Sequence, residues 1–170
     1  MKNTRIKGLI GFVLVVGLAL ASSGCAELTL VTAGLAYKGI TATVEPVNVK
    51  GYTCDIAEVK CGGFMTPSRL PENIKQGLAK KLSEKGLLAS ASPSEKRLLV
   101  NIETGASYPA FAQSDEYNEI QSHIRVIDVE NKDLIAETTI RTLNSFNWDG
   151  DFTESIHAKH IGSYLEGIVR

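Results

Sequence analysis

The chain has 170 residues, with 18 Lys plus Arg against 19 Asp plus Glu and a hydrophobic content of 44%. That length allows one domain with a sizeable core, and the near-balanced charge excludes nucleic acid as a main partner, because phosphate recognition needs a basic surface. The clearest asymmetry is at the start. Lys2, Arg5 and Lys7 precede a run from Gly8 to Ala21 with no ionisable residue, and Ser22, Ser23 and Gly24 then lead into Cys25. Charged, apolar and small-residue regions in that order form a secretory signal. The apolar run is shorter than the about 20 residues a permanent span needs.

The Gly24-Cys25 junction resembles the lipobox of bacterial lipoproteins, with Ser22 standing where Leu is usual in that family. The resemblance implies cleavage before Cys25, whose thiol is then lipidated with acyl chains such as palmitate. Residues 1–24 are then the signal, 25–42 a lipidated N-terminus and tether, and 43–170 a single periplasmic domain. Removing 24 residues from 170 leaves 146, carrying 15 Lys plus Arg against 19 Asp plus Glu. By the same resemblance the lipid supplies the membrane attachment, and Ala26, in place of the Asp that marks inner-membrane retention, implies the periplasmic face of the outer membrane. The alternative is a plain signal peptide or uncleaved anchor with Cys25 an ordinary thiol.

Between Glu27 and Val44, Leu28, Val31, Leu35 and Ile40 are loosely helix-spaced, but Gly34, Gly39 and several Thr residues weaken a helix. The segment is expected to be a tether or a poorly ordered spacer. From Thr43 to Thr53 the alternation of Val47 and Val49 with Asn48 and Lys50 predicts a strand, with Pro46 near its start. Cys54 and Cys61 follow, with six residues between them. In an exported protein such a pair is expected to form a disulfide closing a small loop; a metal pair or a redox pair is the alternative, although the spacing fits neither CxxC nor a common zinc motif.

Leu70, Ile74, Leu78 and Leu82 recur every four residues and predict an amphipathic helix, introduced by Pro67 and Pro71 and stopped by Gly86. Leu98, Val100 and Ile102 alternate with Leu99, Asn101 and Glu103 as in a half-buried strand. Two further alternating runs, from Glu119 to Val129 and from Leu134 to Leu143, flank Glu130-Asn131-Lys132-Asp133, a hairpin turn in which Asn can take the left-handed conformation. A final helix is expected from about Thr153 to Val169, with Asp151 and Glu154 as a capping box. The order β-α-β-β-β-α predicts an α+β fold, a four-stranded mainly antiparallel sheet with two helices packed on one face. With the lipobox, that arrangement resembles small periplasmic lipoproteins of envelope assemblies, including transport-auxiliary lipoproteins.

The chemistry-bearing motifs are missing: there is no Walker loop, GxGxxG, HExxH or GxSxG. His157 and His160 share a helix and His123 sits on a strand, but no acidic partner at helical spacing completes a metal site, so neither metal nor cofactor is expected. No nucleophile, base and orienting group assemble, and the chain reads as a non-enzyme. What remains is positional. In the expected meander the segments after the second and fourth strands share one end of the sheet, bringing together Tyr108, Phe111, Tyr117, Phe146 and Trp148. Aromatic loops of this kind bring contact area at low entropic cost and are candidates for binding a partner. The sequence therefore supports a scaffold or accessory subunit of an envelope or transport assembly docking on another envelope protein. The alternative is a carrier for a small periplasmic lipid, peptide or glycan, which would need a cavity.

Overall fold

The computed structural model describes residues 29–31, 36–62, 66–90, 96–107, 117–144 and 150–170. Their elements are β1 (Thr29–Val31), β2 (Ala36–Val44), β3 (Thr53–Cys61), α1 (Leu70–Glu84), β4 (Arg97–Ser107), β5 (Glu119–Asp128), β6 (Leu134–Asn144) and α2 (Gly150–Val169). The strands form one sheet in the order β1-β2-β6-β5-β4-β3. β3 and β4 are parallel and joined through α1, and all other pairs are antiparallel.

The expected four-stranded, mainly antiparallel sheet is thus corrected to a mixed sheet of five long strands with the three-residue β1 added at one edge. The strand that the sequence hides is β2. It pairs antiparallel with β6 from Ala36↔Asn144 to Val44↔Glu137, so residues 36–42 belong to the sheet and not to a tether. Its Thr41, Thr43 and Val44 are β-formers, but it lacks an unbroken apolar stripe because only one of its faces meets the core.

The expected first strand is displaced as well. Residues 45–52 form no strand; they strap the lower end of the sheet, where Val47 N–H donates to the Ile135 carbonyl at 3.0 Å and Val49 N–H to that of Ile168 at 2.8 Å. This strap carries the chain from β2 to β3 at the opposite edge. Four strand spacings of about 4.8 Å make roughly 19 Å, a distance eight extended residues cover. The parallel edge strand is β3, the segment that holds both cysteines.

One face of the sheet is covered by both helices. The core combines Leu70, Ile74, Leu78 and Leu82 of α1 with Leu98, Val100 and Ile102 of β4, Ile120, Ile124 and Val126 of β5, Ile140 of β6, and Ile161, Leu165 and Ile168 of α2. Burying each such side chain contributes about 2 kcal/mol. The helices touch through small residues: a Cβ on Gly77 would lie 2.9 Å from the Ala158 Cβ, closer than side chains tolerate. Gly86, at φ +66°, ends α1 in the left-handed conformation, as its position after Lys85 predicts.

The β5–β6 turn falls where expected, but Lys132 and not Asn131 takes the positive φ of 63°. Asp128 organises the turn, its Oδ1 accepting from the N–H of Glu130 at 2.8 Å and of Asn131 at 3.3 Å. The capping box also fails. α2 starts at Gly150, so Asp151 lies inside its first turn, and Glu154 is engaged elsewhere.

Candidate functional site

The upper end of the sheet gathers Cys61 of β3, Ser107 of β4, Glu119 of β5 and Asn144 of β6, together with the first turns of both helices. Strand register puts Ser107 opposite Glu119 and Glu119 opposite Leu143, so segment 108–116, which joins β4 to β5, and segment 145–149, which follows β6, begin at the same end of the sheet, as the meander predicts. Four of the five aromatics expected there, Tyr108, Phe111, Phe146 and Trp148, lie outside the described residues, as does Cys25. The fifth, Tyr117, is corrected: it is fully buried and belongs to the core. Its hydroxyl donates to Glu154 Oε1, and an unexposed ring cannot meet a partner.

Glu154 is the pivot of this end. Its other oxygen accepts from Asn73 Nδ2 of α1 at 2.7 Å, and the Arg69 guanidinium reaches Asp151 at 3.3 Å, so the two helix N-termini are tied side by side. Burial raises the Glu154 carboxyl above its ordinary value, the bonds from Tyr117 and Asn73 opposing it. Burial and that neighbouring carboxyl also push the Tyr117 phenol up.

Below Glu154 a polar seam crosses the core. His157 Nε2 lies 2.7 Å from Ser122 Oγ and its Nδ1 2.8 Å from Thr142 Oγ1; Thr142 Oγ1 also meets His160 Nδ1 at 2.7 Å, and Ser122 donates to Thr104 Oγ1 at 2.9 Å. One proton per hydroxyl fixes a consistent assignment. His160 Nδ1–H donates to Thr142, Thr142 to His157 Nδ1, His157 Nε2–H to Ser122, and Ser122 to Thr104. His157 is therefore neutral, and burial, with the charge of His160 second, lowers its pKa to about 3. The seam contains a Ser-His contact of catalytic length, but His157 and Ser122 are fully buried and no substrate can reach them. Among the described residues no three His, Cys, Asp or Glu side chains converge as metal ligands.

The expected Cys54–Cys61 disulfide is not formed; both thiols are free. The reason is geometric. The two residues stand near the two ends of extended β3, seven steps or roughly 23 Å apart at about 3.3 Å per residue, whereas a disulfide requires Cα atoms within about 7 Å. Cys54 is buried, and burial pushes its thiol up to about 11; Cys61 is exposed.

The uncovered face of the sheet is polar. Near its upper end it holds an open trough of about 380 Å³ lined by Gly62, Glu103, Gly105, Ala106, Ser107, Gln121 and His123. Its floor depends on two glycines: a Cβ on Gly105 would sit 2.6 Å from the Gly62 carbonyl oxygen, and Gly62 is held by bonds from its N–H to the Thr104 carbonyl and from Thr66 Oγ1 to its own carbonyl. Sequence reasoning missed this feature. The available signal was a glycine at the close of β3 and another inside β4, since glycine within a strand marks close backbone approach.

No protein-family model and no curated protein matches the sequence. Among solved structures, the chain is similar to a PelC dodecamer from Paraburkholderia phytofirmans, with 13% identity and a TM-score of 0.53 over 78% of this chain and 99% of that one. Lower-scoring similarities are to a DUF330 protein from Xanthomonas campestris (11% identity, TM-score 0.46, 74% and 91% covered) and to a minor lipoprotein from Acinetobacter baumannii (10%, 0.40, 67% and 92%). At these identities the first likeness shows a shared fold.

Proposed function

We propose that this protein is a lipid-anchored subunit of a bacterial envelope assembly, held at the periplasmic face of the outer membrane through Cys25 and acting without catalysis as a scaffold. The observation that carries the proposal is the fold shared over 99% of a protein crystallised as a dodecamer, in a chain whose first 25 residues read as a signal ending at a lipid-accepting cysteine. The polar seam supports the non-catalytic part, because its histidine and serine are spent inside the core. Contact with neighbouring subunits or another envelope protein is assigned to the upper end, where Tyr108, Phe111, Phe146 and Trp148 lie in the segments that leave β4 and β6.

The test uses the full chain expressed in its own envelope and extracted in mild detergent. Mass spectrometry should find an acylated N-terminus at Cys25, and crosslinking before extraction should trap a discrete oligomer or a defined partner. A cleavage site elsewhere without acyl groups defeats the anchoring, and a monomer that crosslinks to nothing defeats the scaffold. Trp148→Ala should weaken association by about 2 kcal/mol, the scale of an interface hot spot, while leaving the melting temperature in place.

A further inference from the structure

We infer that the trough between β3, β4 and β5 binds the cationic head of a small organic ligand, an ammonium or guanidinium group, with Glu103 as its counter-charge. This site lies on the open face of the sheet and does not rest on the scaffold reading. Its charge pattern carries the argument. Around the trough three cations of that face are already engaged: Lys60 Nζ with Glu58 at 2.8 Å, Arg125 Nε with Glu137 at 3.3 Å, and Arg141 with both oxygens of Glu119 at 2.6 and 2.8 Å. His123, directly opposite Glu103 across the strands, turns instead to Glu137 at 3.1 Å and Thr139 at 3.4 Å. Glu103 is left with no ion pair or hydrogen bond among the described residues, although its cross-strand neighbours are Lys60 and His123.

The surroundings of that carboxylate are shaped as well as charged. A Cβ on Gly62 would come within 3.1 Å of Glu103 Cγ and 3.2 Å of its Oε1, so the glycine lets the side chain lie along the rim. Gln121 lines the opposite strand with an amide likewise without a partner among the described residues. Its carbonyl can accept a second hydrogen bond from a bound donor. Both nitrogens of His123 are occupied, so its ring forms a wall and adds no competing donor. A volume of about 380 Å³ sits at the lower end of the range for small-molecule sites, about 300 to 1,000 Å³. An anion would meet Glu103 unfavourably, and a neutral ligand would forgo the stronger charge-assisted bond.

The test is titration of the full isotope-labelled chain in nonionic detergent with N-acetyl-arginine amide and, in parallel, its neutral isostere N-acetyl-citrulline amide. The arginine probe should shift the backbone amide resonances of Gly62, Gly105 and Gln121 saturably, and the citrulline probe should bind on the order of tenfold more weakly. Glu103→Gln should erase that discrimination while leaving the rest of the spectrum unchanged, and Gln121→Ala should weaken the arginine probe by a smaller factor. Equal affinity for the two probes overturns the inference. So does unaltered binding in Glu103→Gln, a response centred on Glu119 and Glu137, or no saturable shift at millimolar probe.

Discussion

α1 lays Leu70, Ile74, Leu78 and Leu82 over the apolar side chains of β3 and β4, whereas the first half of α2 lays Glu154, His157 and His160 over Tyr117, Ser122 and Thr142. Both helices cover the same sheet face, and both are buried. The difference is in how the free energy is distributed. Apolar contacts have no direction, so removing one leaves its neighbours intact and able to close in. The seam under α2 is a chain of donors and acceptors in which every hydroxyl depends on the next, so a loss at one point strands its partners.

The largest effect is expected under α1. Leu78→Ala should cost about 4 kcal/mol, within the range for truncating a fully buried leucine, read as a lower denaturant midpoint with an unchanged slope. His157→Leu should cost about 3 kcal/mol by taking the acceptor from the Thr142 hydroxyl and a donor from Ser122. The two regions then part in their second mutations. Adding Ser122→Ala to His157→Leu should restore part of the loss, while Ile74→Ala added to Leu78→Ala should only deepen it. Simple additivity in both pairs would mean that the seam is no network.

Acid should act on the seam before the apolar half. The unfolded imidazole titrates near 6.5 and the folded one near 3. Between those values the unfolded chain binds a proton that the folded chain refuses, so stability falls as pH drops through that window, by up to about 1.4 kcal/mol per unit. Glu154 works in the opposite sense: its raised carboxyl favours the folded state when protonated, and that contribution is lost as pH rises through the range above 4.5. Urea titrations from pH 7 to 5 should show a slope that flattens in His157→Gln, and an unchanged slope would move the titration to another group. The smallest effect belongs to the open face, where Arg141→Met removes an exposed pair with Glu119 and should cost under about 1 kcal/mol.

The same contrast governs what could be read from the sequence. α1 was legible because its four buried residues repeat at helical spacing, and β4, β5 and β6 because Leu98, Val100, Ile102 and their counterparts alternate. In α2 the seam fills the buried arc with Glu154, His157 and His160, so the helix was visible but its function as the lid of a polar core was not. β3 was misread for a different reason. Its inward positions Cys54, Ile56 and Val59 alternate only across a register shift between Ile56 and Glu58, and the two cysteines suggested a loop where the chain is straight. The trough had still less signal, since Glu103, Gln121 and His123 lie far apart in the chain and meet only through strand register.

β1 begins at Thr29, four backbone steps beyond Cys25. With a lipid on that cysteine, the leash from bilayer to sheet edge is at most about 14 Å, less than the length of an average strand. The domain could not sweep the periplasm in search of a partner. Encounters would be confined to a thin layer above the membrane, where diffusion is two-dimensional and subunits anchored in the same leaflet meet already facing the same way.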